Sequence, residues 1–362
     1  MLNRILLRNA SRRQFLGGAI ALSLGIKACQ PQTSTPSSLE ASADAPEPPV
    51  TLYGAGATLP SFLYLRWFQE YNTRHPQVQI SYQPIGSAAG IQQFLVGTVD
   101  FGATEVPLTD AEVAQVEPGA LFIPSAAGSI AVVYNLPGVT VELRLSREVL
   151  PEIFLGVITQ WNDPKLVALN PDLDLPDQPI TVIHRSDGSG TTAAFTAYLS
   201  AISPTWQSAV GQGLSVAWPA GIGIKDNAGI SAQIIQAEGV IGYVEYAFAK
   251  QLNLATAVLE NQAGQFVAIT DEATARAIAT IELSDDLRGA VADPDDPEAY
   301  PIVTYSWLLV YQHYDDPQKA AVLRDLIQWG LQDGQAFGPE LGYVPLPAEV
   351  VQRATRVALQ IS

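Results

Sequence analysis

Residues 184–195, HRSDGSGTTAAF, gather an arginine, an aspartate, two glycines and several hydroxyl side chains, then continue as a helical run. Three other stretches share this layout: GAGAT at 54–58, PIGSAAG at 84–90 and VDFGATEVPLTD at 99–110. In each, small residues lead from an apolar strand towards a helix, and three of the four loops also contribute a hydroxyl. That is a chemistry for holding anions. Glycine lets the backbone come close, free N–H groups at a helix start donate, and the helix dipole favours negative charge. One such loop is ordinarily no more than a cap; four of them together with Arg185 point to a site.

Catalytic chemistries are poorly supplied. Ser189 lies in DGSGT, which is not the G-x-S-x-G elbow of a hydrolase, and His184 is far in sequence from the other histidines, His75 and His313. His184 is expected to pack at a strand end. The cysteine and histidine spacings offer no metal site, and no phosphate loop of the G-x-x-x-x-G-K-[ST] type occurs. The sequence therefore reads as a binding protein without cofactor or metal. A hydrolase that handles oxyanions is the minor alternative, separable by release of phosphate from a generic phosphoester.

The elements that must position these loops alternate. Short strands are expected at 51–53, around Val78, Ile80 and Tyr82, and at 180–183 and 302–311. Helices are expected at 60–74, 91–96 and 191–199, with another starting near Thr109. Strand–helix alternation is the rhythm of an α/β fold with largely parallel sheets, in which ligands bind off the carboxyl ends of strands. The length of 362 residues allows two lobes. Trp307 and Trp329 read as core residues, and VADPDDPEAYP at 291–301 as a solvated acidic loop.

The N-terminus reads as an address. SRRQFL at 11–16 precedes an apolar stretch at 17–26, the layout of a twin-arginine export signal. Cys29, the one cysteine, ends GIKAC in the manner of a lipobox, so it is the expected acylation site, with Lys27 an unusual neighbour. Residues 29–50 then form a Pro, Ser, Ala and acidic tether expected to be disordered. Removing residues 1–28 takes away five basic residues and no acidic one, moving the formal charge from −17 to −22. A surface so acidic argues against nucleic acid or anionic lipid as partners.

Taken in order, YGAGATLP, DFGATEVPLTD, QWNDP, RSDGSGTT and IGYVEYAFAKQ give a pattern that resembles the periplasmic phosphate-binding proteins of bacterial phosphate ABC importers, from about residue 51 to the C-terminus. The resemblance implies a two-lobed periplasmic-binding-protein fold of type II with the ligand clamped in the interlobe cleft. Lobe 1 would comprise 51–128 and 304–362, and lobe 2 129–303. It also implies inorganic phosphate as ligand, permease and ATPase subunits of an importer as partners, a monomer, and a periplasmic location with membrane contact only through a lipid anchor. Arsenate or a phosphonate as ligand, or a storing or sensing lipoprotein, are the alternatives within this class.

Carried over position by position, the family's phosphate contacts fall on Thr58, Leu59, Ser87, Arg185, Ser189, Gly190 and Thr191. Leu59 replaces a common phenylalanine at a position that offers its backbone N–H. Asp187 matches the acidic partner of the arginine, with capping of the following helix as a compatible second role. Ala88 and Ala89 stand where Ser or Gly is usual, which would stiffen that loop. Glu105 occupies the position of an aspartate that accepts the proton of bound phosphate. The longer side chain demands either a strand end drawn back or a reshaped pocket, unless Glu105 turns outward to solvent.

Overall fold

The computed structural model describes residues 49–139 and 142–362. The export leader, Cys29 and nearly all of the tether lie outside the described residues. The described residues form one compact unit.

Its first part runs β1 (Val50–Gly56), α1 (Ser61–Arg74), β2 (Val78–Pro84), α2 (Ser87–Leu95), β3 (Phe101–Thr104), α3 (Asp110–Val113) and the long β4 (Ala120–Asn135). A middle part follows: β5 (Arg144–Leu145), α4 (Val149–Phe154), α5 (Pro164–Leu169), β6 (Thr181–Arg185), α6 (Gly190–Ile202), α7 (Pro204–Ala209), β7 (Ile222–Ile224), α8 (Asp226–Gln236), β8 (Val240–Glu245) and α9 (Tyr246–Leu252). After the small strands β9 (Ala255–Thr256), β10 (Val258–Glu260) and β11 (Phe266–Val267) and helix α10 (Asp271–Ala279), the chain returns as β12 (Val303–Tyr311), α11 (Pro317–Gln332), α12 (Gly338–Leu341) and α13 (Ala348–Ala358).

The main sheet has the order β2-β1-β3-β12-β4-β8-β6-β7. Its two wings, β2-β1-β3 and β8-β6-β7, are each parallel, as the strand–helix rhythm predicts. Between them, β12 and β4 run antiparallel to their neighbours, which makes the centre of the sheet a departure from that expectation. β4 is the shared spine: Ala120–Ser129 pairs with β12 and Ile130–Asn135 with β8. The register makes the two wings run in opposite directions. Thr104 at the end of β3 lies across Trp307 from Pro124, while Glu245 at the end of β8 lies opposite Ile130. Both sets of carboxyl ends therefore meet near the middle of β4.

Two boundaries differ from the sequence reading, for one reason. β1 continues to Gly56, past its expected end at residue 53, and Gly54 suits this because a Cβ there would overlap the Phe101 ring of the neighbouring strand. α2 begins at Ser87 rather than Ile91, and a Cβ on its Gly90 would overlap the Cα of Gly56. The small residues here serve close packing of helix on strand rather than a turn. The acidic stretch at 291–301 is also less solvated than expected. Asp293 is buried against Arg147 with both carboxylate oxygens hydrogen-bonded, and Ala299 and Tyr300 are in the core.

The cores pack against the sheet. In α1, Leu63, Tyr64, Trp67 and Tyr71 share the buried face, and Trp67 Nε1 donates to the Gly334 carbonyl at 2.8 Å. Trp307 is buried, and Trp329 packs at the edge of the same cluster. His184 stacks on Trp218 at the end of β6, with centroids 4.8 Å apart. Burial lowers its pKa, although its bond with the Arg185 carbonyl works the other way.

Candidate functional site

Six strand ends feed one buried cluster. From the first wing, Thr58 and Leu59 follow β1, Ser87 follows β2 and Glu105 follows β3. From the second, Arg185 ends β6, with Ser189, Gly190 and Thr191 at the start of α6, while Asn227 follows β7 and Glu245 ends β8. All of these residues are buried. The structure thus brings together every anion contact expected from the sequence, and Glu105 faces inward rather than to solvent.

Polar contacts cross between the wings. The Gly190 N–H donates to Ser87 Oγ at 3.2 Å, and Ser87 in turn donates to Glu105 Oε2 at 2.7 Å. The Ala88 N–H donates to the Gly188 carbonyl at 3.1 Å. A Cβ on Gly190 would overlap the Glu105 carboxyl, so only glycine lets the two wings approach this closely.

Donors outnumber acceptors here. Arg185 is gripped by Asp187, with Nε donating to Oδ1 at 2.7 Å and Nη2 to Oδ2, but its buried Nη1 has no partner among the described residues. The same holds for the backbone N–H groups of Thr58, Leu59 and Thr191. Native proteins rarely leave buried N–H groups unpaired, so such donors after β1 and at the start of α6, with the unpartnered guanidinium nitrogen at the end of β6, suit an acceptor-rich ligand. Ser189, not Asp187, caps α6, its Oγ accepting from the Thr192 N–H. Asp187 instead accepts from the Asp226 N–H at the start of α8. The capping role expected for Asp187 on the following helix is therefore not observed.

The carboxyls sit in contrasting environments. Burial pushes Glu105 up to about 7, against the hydrogen bonds from Ser87 and Ser306 and the charge of Arg185. A cavity of about 250 Å³ adjoins it, walled by apolar groups such as Ala193, Ala194, Ala197 and Leu214. Asp187 is also opposed by burial, yet the bidentate Arg185 contact and the Asp226 N–H hold it below the usual aspartate range. Glu245 is driven well above the glutamate range by burial, and its Oε2 caps α9 by accepting from the Ala247 N–H.

Sequence reasoning did not single out Asn227, Glu245 or Ser306. Glu245 lies inside the IGYVEYAFAKQ segment and could have been flagged as a carboxylate in an apolar strand. Asn227 follows a three-residue strand too short to show periodicity, and Ser306 sits inside an apolar strand as a bulge-side residue. Among the described residues no cluster of metal-ligating side chains occurs, and no helix is long and apolar enough to cross a membrane.

Comparison with known proteins finds a family model, the PBP superfamily domain, matching residues 42–333. The phosphate-binding protein PstS of Pasteurella multocida is 42% identical over 306 residues, covering 84% of this chain and 88% of its own. Its counterpart in Haemophilus influenzae is 43% identical, covering 83% and 90%. Among solved structures, a high-affinity periplasmic phosphate-binding protein bound with phosphate superposes with a TM-score of 0.69 at 20% identity, over 84% of this chain and 92% of that one. An ABC-type phosphate transport receptor from Vibrio cholerae gives 0.53 at 18% identity, over 82% and 100%. Both share the periplasmic-binding-protein fold.

Proposed function

The chain belongs to the PBP superfamily and, within it, to the phosphate-binding proteins, and from that premise we propose that it binds inorganic phosphate outside the cytoplasmic membrane and delivers it to the permease and ATPase subunits of an ABC importer. The observation that carries this reading is Arg185: a buried guanidinium whose Nη1 has no partner among the described residues, in a cluster that also holds unpartnered N–H groups on Thr58, Leu59 and Thr191.

In this reading Arg185 supplies the one full positive charge. The unpartnered backbone donors, together with the hydroxyls of Thr58, Ser189 and Thr191, hold the oxygens, and the Ser87 hydroxyl and Gly190 N–H exchange their present bonds to Glu105 and Ser87 for the anion when it binds. Glu105 accepts the proton that phosphate retains. Each hydrogen bond to a charged group is worth about 1.5–3 kcal/mol before desolvation, so such a set binds tightly without an electropositive surface. That reconciles an anion ligand with a chain of net charge −17. The protein has no catalytic task; it is a monomer whose two lobes, 51–128 with 304–362 and 129–303, close on the ligand. Twin-arginine export and acylation of Cys29 would tether it by residues 29–50.

A thermal-shift panel of phosphate, arsenate, sulfate, alkylphosphonates and molybdate tests the reading. Phosphate should give the largest stabilisation, since a ligand that binds only the folded state raises stability in proportion to its affinity. No shift with any tetrahedral oxyanion would contradict it.

A further inference from the structure

We infer that Asn227 is a positioning residue that turns the hydroxyl protons of Thr58 and Thr191, one from each wing, towards the anion. The inference rests on the phosphate-binding reading and adds to it a residue that makes no ligand contact of its own.

The orientation of the Asn227 amide is fixed by its neighbours. Its Oδ1 accepts from the Glu245 backbone N–H at 3.3 Å, and a backbone N–H can only donate, so the oxygen must face β8. The Nδ2 group is thereby aimed the other way. Its two protons go to Thr58 Oγ1 at 2.9 Å and Thr191 Oγ1 at 3.4 Å. Asn227 is fully buried, so water does not compete for these bonds.

A threonine hydroxyl has one proton and two lone pairs. With a lone pair of each occupied by Asn227, neither hydroxyl can donate in that direction. Neither donates to any other atom of the described residues. Both protons are left for an acceptor on the side away from Asn227, in the cluster that also holds the unpartnered Arg185 Nη1 and Thr191 N–H. A hydroxyl free to rotate could equally present a lone pair to an anion, which would repel it. Asn227 removes that choice, and by reaching Thr58 from the second wing it makes the arrangement depend on the two wings being together.

A double-mutant cycle read by phosphate titration calorimetry tests this. Thr191→Val alone should weaken binding about tenfold, the usual value of a hydrogen bond to a charged group. Asn227→Asp keeps the shape but replaces two donors by acceptors. Both hydroxyls then turn their protons to the carboxylate, and affinity should fall by about a hundredfold or more. In that background Thr191→Val removes a group already pointing the wrong way, so its further cost should shrink to about threefold or less. Thermal melts establish that each variant folds. Should Asn227→Asp not fold, Asn227→Ala serves in its place: the released hydroxyls can still donate, so the Thr191→Val cost should shrink without vanishing. Equal Thr191→Val costs in the wild-type and Asn227-variant backgrounds would overturn the assignment alone. A wild-type protein that binds no phosphate would overturn the functional reading and this assignment with it.

Discussion

Glu105 in the first wing and Asp187 in the second are both carboxyls at strand ends within reach of Arg185, yet their surroundings drive them apart. Asp187 meets the guanidinium with both oxygens and is held ionised. Glu105 meets hydroxyls in an apolar wall and is pushed up to about 7 by burial. The second wing thus carries a cation whose charge is largely offset by its partner, and the first a carboxyl poised between donor and acceptor. In the proposed reading, attraction for an anion comes mainly from one side and the choice among anions from the other. Two titratable groups split by environment in this way are the usual mark of divided roles.

Breaking the second wing should have the larger effect. Arg185→Ala deletes the cation and leaves Asp187 facing the site unpaired. Truncating the protein partner of a buried charge pair made with a ligand costs about 2–5 kcal/mol of binding, and isothermal calorimetry should show phosphate affinity falling accordingly. A loss under tenfold would mean that the backbone donors, not the guanidinium, dominate.

A smaller effect sharpens the contrast between the carboxyls. Without phosphate, folded Glu105 holds a proton that the unfolded chain has already released between the ordinary glutamate range and about pH 7. Its contribution to stability is therefore lost as pH rises through that window, by at most about 1.4 kcal/mol per pH unit. Asp187 behaves oppositely: its contribution is present at neutral pH and lost as pH falls below the usual aspartate range. Denaturation of wild type and Glu105→Gln across pH 5–8 should show a slope in the first that is flattened in the second. Parallel curves would remove Glu105 as the titrating group and leave Glu245 as the buried carboxyl to examine.

The sequence made the second wing easier to read than the first. Arg185, Asp187, Ser189, Gly190 and Thr191 fall within seven consecutive positions, so the stretch stands out as an anion-binding candidate before any resemblance assigns its contacts. Glu105 and Ser87 are separated in the chain and meet only because β2 and β3 flank β1. Gly54 and Gly90 mislead a turn-based reading because their smallness serves strand and helix contacts distant in sequence. The antiparallel centre was hidden for a related reason: strand direction in β4 and β12 is set by long-range pairing, which local periodicity does not record. Asn227 was illegible altogether, since its significance lies in three hydrogen bonds to residues 18, 36 and 169 positions away.

Competition calorimetry of phosphate against sulfate tests the division of labour most directly. Phosphate keeps a P–O–H that can donate to ionised Glu105, whereas sulfate is fully ionised and would face that carboxylate with none. The account predicts a strong preference for phosphate at pH 8 in wild type and Glu105→Asp, and its erosion in Glu105→Gln. In wild type, sulfate should gain affinity as pH falls through about 7, where Glu105 takes up a proton and becomes a donor. Sulfate binding close to phosphate binding in the wild type at pH 8 would contradict it.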